Sequence, residues 1–193
     1  MKVLRKGVMT VTTLDPQSAL VVIDLQQGIA GTPAAEPVVA QAVRLADAFR
    51  AAGLPVVLVN VTGGAPGRVE RARPNAPRPE NWAELLPELR PDAPGTIRVT
   101  KQTWGAFHGT DLDERLRDAG ATQVVLAGIA TSAGVESTAR AAHEHGYNVT
   151  IATDAVADMD PVNHEHAVTR ILPRISETGT TDEILELLAA NGR

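Results

Sequence analysis

The strongest constraint on how this chain folds is a recurring unit: a short strand-like run, then a turn, then an amphipathic stretch. Ser18–Leu25, Pro55–Val59 and Gln123–Ala127 are continuous apolar runs, and Thr96–Thr100 and Asn148–Ala152 are read as two further strands in which apolar and polar residues alternate. Continuous apolar runs of this length are what strands buried on both faces of a parallel sheet look like. Helical patterns lie between them. Val39, Ala42, Val43, Ala46 and Phe49 share one face of a helix that opens near Pro37 and stops at Gly53. Leu112, Leu116 and Ala119 do the same after a Thr110 cap, and Val135 to His145 forms another helix, closed by Gly146. Asp160-Pro161 opens a further helix, and Thr180 with Glu183 makes a capping box for Ile184–Leu188. Arg174–Glu177 is read as a short edge strand. Strands that alternate with helices specify an α/β fold with a mostly parallel sheet.

In such sheets ligands bind beyond the carboxyl ends of the strands. Asp24, Lys101 and the Thr131–Gly134 turn all fall on that edge. The turn joins a strand abruptly to a helix, so free backbone N–H groups and the positive helix end meet at one spot, suited to an anion or to developing negative charge. Thr131, Ser132, Ala133 and Gly134 are small enough to let a ligand touch the backbone. The turn holds no thiol, and neither does the rest of the chain: there is no cysteine among the 193 residues. Disulfides, thiolate metal sites and thiol nucleophiles are thereby excluded. A formal charge of -5 removes any general pull toward nucleic acid or an acidic membrane surface. No apolar stretch approaches the roughly 20 residues of a membrane span, and no signal peptide is apparent, so a cytoplasmic protein is expected. The length suits one domain, residues 1–193, with an N-terminal arm at 1–17 that is an extra strand or an oligomer contact.

Residues 62–95 differ in composition, holding seven of the thirteen prolines together with Arg68, Arg71, Arg73, Arg78 and Arg90. A short helix near Glu80–Leu89, including Trp82, breaks up this insertion. It serves either as a surface loop or oligomer contact, or as a lid whose arginines fork onto a substrate carboxylate.

Several motifs resemble those of the isochorismatase-like hydrolase superfamily. They are Val-Val-Ile-Asp-Leu-Gln at 21–26, Thr-Lys at 100–101 followed by Ala-Phe-His at 106–108, and Gly-Ile-Ala-Thr-Ser-Ala-Gly-Val-Glu-Ser-Thr-Ala-Arg at 128–140. Asp154–Asp158 and His164-Glu-His166 match as well, and the likeness runs from Ala19 to the C-terminal helix. It implies a three-layer α/β/α fold, Rossmann-like, around a six-stranded sheet. It also implies an unusual cis peptide near Ile129-Ala130 and a homo-oligomer, either dimer or tetramer. Most members are amidases that use an Asp, a Lys and a nucleophilic Cys. Asp24 and Lys101 match the first two, and Gly134 stands where the Cys would be. A glycine there is similar to true isochorismatases, which cleave a vinyl ether and release pyruvate without a covalent intermediate, although Thr131-Ser132 replaces their Ala-His dipeptide. Asn60–Ala65 offers none of the Asp and His ligands found in nicotinamidases, so neither metal nor other cofactor is implied.

The resemblance makes Asp24 the general acid and gives Lys101 a role in orienting Asp24, in binding a substrate carboxylate, or in both. A nearby ammonium lowers a carboxyl's pKa, whereas a general acid needs it raised. Engagement of Lys101 by the substrate would remove that conflict. Gln26, Trp104, Phe107 and His108 are read as pocket walls, and Ala130, Thr131, Ser132 and Gly134 as the turn that meets the substrate. No histidine is placed by sequence beside Thr131, Ser132 or Ser137, so none of these hydroxyls has an evident base. His143-Glu-His145 and His164-Glu-His166 have the wrong spacing for helical chelation and read as solvated faces. A dinucleotide site is unsupported, since no G-x-G-x-x-G follows the first strand. Three functions remain open: a cysteine-independent hydrolase of a small anionic metabolite, a catalytically idle binder or assembly partner, and an amide hydrolase using water.

Overall fold

The computed structural model describes residues 11–70 and 77–191. Most of the N-terminal arm, with Arg71 and Arg73, lies outside the described residues. Six strands form the sheet: β1 Ser18–Ile23, β2 Val56–Val61, β3 Thr96–Lys101, β4 Gln123–Ile129, β5 Asn148–Ala157 and β6 Glu177–Gly179. Their order is β3-β2-β1-β4-β5-β6, and every neighbouring pair runs parallel.

The apolar runs explain the layers. Alternate residues of one strand serve two separate cores, as Leu20 and Val22 face one side of β1 while Ala19, Val21 and Ile23 face the other. After the short α1 (Gln27–Ala30), Val39, Ala42, Leu45 and Phe49 of α2 (Glu36–Ala51) pack on the first side with Ile184 of α6 (Thr181–Asn191). On the second lie Leu112 and Leu116 of α3 (Leu112–Asp118) and Ala139 and Ala142 of α4 (Glu136–Glu144). The result is the three-layer α/β/α arrangement. Among the described residues no helix is long and apolar enough to cross a membrane.

Several boundaries differ from the sequence expectation, three of them for a clear physical reason. β1 stops at Ile23, because Asp24 takes a left-handed conformation with φ of 54° and turns the chain out of the sheet. β5 continues to Ala157, and Asp154 inside it accepts hydrogen bonds from the Thr181 N–H and hydroxyl, tying down the start of α6. The edge strand begins at Glu177, because Leu172–Arg174 winds into a 3-10 turn. The described parts of 62–95 are anchored from Trp82 onward. Two 3-10 turns, Glu80–Ala83 and Pro87–Leu89, are tied to the strand ends by Leu86 N–H to Leu25 O, Gln27 N–H to Glu84 O, and Asn60 Nδ2 to Ala83 O.

Candidate active site

The strand order reverses beside β1, whose later neighbours leave in opposite directions, and the crevice this opens lies beyond Ile23 and Ile129. Asp24 caps one end of that crevice. Lys101, the last residue of β3, reaches across β2 to it: Nζ donates to Asp24 Oδ2 at 2.7 Å and to the Trp104 carbonyl at 2.7 Å. Both side chains are almost fully buried, 1% of Lys101 and 7% of Asp24 remaining exposed. Gly134 passes directly over the pair. A Cβ added there would lie 3.2 Å from Asp24 Oδ2 and 3.5 Å from Lys101 Nζ. The side chain that this turn lacks would therefore touch both charged groups. The three residues open into a hollow of about 410 Å³.

Burial dominates the acidity of Asp24. It pushes the carboxyl up to about 6, although the Lys101 charge and hydrogen bond both pull the other way. The expected conflict between acid and ammonium is thus decided by desolvation before any substrate arrives. About a tenth of the carboxyl remains protonated at pH 7. Asp24 Oδ1 is buried and has no partner, leaving one oxygen free to carry that proton.

The other side of the turn is fully engaged. Thr131–Val135 forms a π-helical turn that follows a cis peptide at Ile129-Ala130, at the place the resemblance implied. Asp158 Oδ2 accepts from the Ser132 N–H at 2.8 Å and from its hydroxyl at 2.7 Å. The Thr131 hydroxyl lies 2.9 Å from His164 Nδ1, on α5 (Pro161–His166). A histidine does stand beside the turn, brought there by tertiary packing from 33 positions along the chain. Thr131 is nevertheless fully buried and does not border the hollow, so the pair fastens the turn to α5 and does not face a substrate. Burial raises the Asp158 carboxyl, but the Ser132 hydrogen bonds and those from the Asp160 and Met159 backbone outweigh it and hold it below the usual range.

Residues 18–183 match the isochorismatase domain family. The chain belongs to the isochorismatase family. It is similar to the uncharacterized isochorismatase family protein YecD of Escherichia coli O157:H7, with 45% identity over 183 residues, 89% of this chain and 96% of that protein. An isochorismatase family protein from Burkholderia thailandensis superposes with a TM-score of 0.86 at 39% identity, covering 92% and 98% of the two chains. N-carbamoylsarcosine amidase from Thermoplasma acidophilum gives 0.69 at 31% identity, covering 86% and 97%. The protein is therefore a hydrolase of the isochorismatase family, and one without cysteine.

In this isochorismatase-family hydrolase Ala130, Gly134 and Trp104 border the hollow, as the sequence suggested. Gln26, Phe107, His108, Thr131 and Ser132 do not. Gln26 is buried behind the wall, where its amide bonds the Val61 N–H and carbonyl and the Trp82 carbonyl. Phe107 stacks on His145 at 5.0 Å and leans on Tyr147, away from the hollow, and His108 is exposed to solvent. Gly28, Trp82, Thr103 and Met159 are among the bordering residues not singled out from the sequence, and Arg78, one of the arginines of 62–95, borders it too. Trp82 lies on the backbone of Gly28, where a Cβ would fall 1.9 Å from the indole. The Arg78 guanidinium sits 3.9 Å over the Trp82 ring and donates to the Thr62 carbonyl, so its planar fork is held in place. Only these long-range layers reveal the wall; the one signal in the sequence was the cluster of arginines. A larger groove, about 730 Å³ along α2, has Glu36 and Glu88 as its charged lining and offers no cation to an anionic ligand.

Proposed function

We propose that this hydrolase cleaves the vinyl ether of a small anionic metabolite, most specifically isochorismate, to a dihydroxy acid and pyruvate. The observation that carries this reading is a buried carboxyl, held near pKa 6, under a turn whose nucleophile position is a bare glycine. A carboxyl tuned close to working pH suits proton transfer, and the glycine leaves room above it for a substrate carbon. Lys101 has spent two of its three hydrogens on Asp24 and Trp104. The third, with the open edge of Arg78, supports binding of substrate carboxylate.

In the proposed step Asp24 gives its proton to the terminal methylene carbon. The double-bond pair forms the new C–H bond, and positive charge develops on the carbon that bears the ether oxygen. Lys101 stabilises the Asp24 carboxylate thus formed. Water adds to the cation and returns a proton to Asp24. The resulting hemiketal breaks its C–O bond to the ring, its hydroxyl proton passing to the departing oxygen. One water is consumed, and the acid is regenerated.

Amide hydrolysis by water is the second reading, favoured by the likeness to N-carbamoylsarcosine amidase and by Asp24 being mostly ionised at pH 7. Loss of a covalent nucleophile costs on the order of 10⁶ in rate, so such activity should be poor. The test is pyruvate release from isochorismate beside ammonia release from N-carbamoylsarcosine. Pyruvate alone supports the vinyl-ether reading and ammonia alone overturns it in favour of the second. Binding of either compound without turnover would identify an idle family member.

A further inference from the structure

Among the described residues four side chains hold buried polar atoms without a partner: Ser18, Asp24, Arg50 and Thr103. Native proteins leave few such atoms, and each needs a physical reason. Ser18 and Arg50 do not border the hollow, whereas Asp24 and Thr103 both do, on either side of Lys101 in the sequence of the wall. The free oxygen of Asp24 belongs to the acid already described. The hydroxyl of Thr103 has no such account inside the protein.

We propose that Thr103 is a specificity-determining residue that binds an uncharged hydroxyl of an anionic, ring-bearing substrate. This role rests on the hollow being the substrate site proposed above and adds which group is recognised where. Carboxylate recognition is already served by Lys101 and Arg78, whose charge makes them far better partners for an anion than a neutral hydroxyl is. A threonine hydroxyl both donates and accepts, which matches a hydroxyl on the ligand. Thr103 Oγ1 is buried without a partner in a residue that borders the hollow, and in the proposed complex a rotation about χ1 presents it to the ligand. Trp82 and Trp104, the two tryptophans of the chain, border the same space and supply apolar surface for a ring. A site that hydrogen-bonds a ligand hydroxyl discriminates sharply against the analogue without it, because the protein group is left unpaired.

Benzoate is the minimal probe, with a ring and a carboxylate, and the three monohydroxybenzoates add the group in question. Binding is measured by titration calorimetry on the full chain, which requires no turnover. At least one isomer is expected to bind about fivefold or more tightly than benzoate, the range of one net hydrogen bond. Thr103→Val should erase that gain and leave benzoate unchanged, while Thr103→Ser should keep it. Overturning results are a gain that survives Thr103→Val, the absence of any favoured isomer, or equal weakening of benzoate and hydroxybenzoates, which would make Thr103 a carboxylate contact. The Ser variant guards against misfolding as the cause. If isochorismate is not cleaved yet the hydroxyl gain appears and depends on Thr103, the vinyl-ether proposal fails and this one stands.

Discussion

Two carboxylates flank one turn and are driven in opposite directions. Asp158, behind it, receives the Ser132 N–H and hydroxyl and is held below the usual carboxylate range. Asp24, in front, has one oxygen on Lys101 and one with no partner, and burial lifts it to about 6. Ionisation follows the number of donors around each group, not its distance from the hollow. One carboxylate is fixed in its charged form and shapes the turn; the other keeps a proton available. Environments that separate the acidities of neighbouring groups mark an assignment of roles.

The largest expected effect breaks the front of the turn. Asp24→Asn keeps an acceptor for Lys101 but has no proton to give, and pyruvate release should fall by about 10²–10⁴ in kcat. Next, Gly134→Ala puts a methyl group 3.2 Å from Asp24 Oδ2 and 2.9 Å from Ile23 Cγ2. Displacing the reacting carbon by this much should cost on the order of 10² in kcat/KM. Lys101→Met removes both influences that lower the Asp24 carboxyl, so the alkaline limb of the pH–rate profile should move to higher pH. An unmoved limb would show that the two groups are not coupled.

The smallest effect sharpens the contrast through stability. Asp24 holds its proton in the folded state at pH values where the unfolded carboxyl, near 3.8, has lost it. Its contribution is therefore present below the unfolded value and lost as pH rises through about 6, a change of about 3 kcal/mol at most. Asp158 is lowered, so its contribution is present above the unfolded value and lost on acidification. Urea unfolding of Asp24→Asn and Asp158→Ala against the parent, from pH 3 to 8, should give differences of opposite slope.

How much of this was readable depends on the range of the interactions. The apolar runs specify the parallel sheet because they report burial on both faces, and the parallel topology then places Asp24, Lys101 and Gly134 on one edge. Where a side chain points within a loop is not written in such patterns. Phe107 and His108 leave the same loop as Trp104, yet packing against His145 and Tyr147 turns Phe107 away. Asp158 and His164 meet the turn only because β5 runs five residues past its apolar core and delivers α5 beside that turn. Trp82 on Gly28, with Arg78 above it, joins residues separated by the whole of α2 and β2, which no local period encodes.

The central claim, that Asp24 acts as an acid, has one direct measurement: kcat/KM for isochorismate as a function of pH, which reports the free enzyme's ionisations. The expected profile is level below about pH 6 and falls tenfold for each unit above it, as the protonated carboxyl disappears. A profile that rises through the same region would show the carboxylate working as a base and would contradict the mechanism.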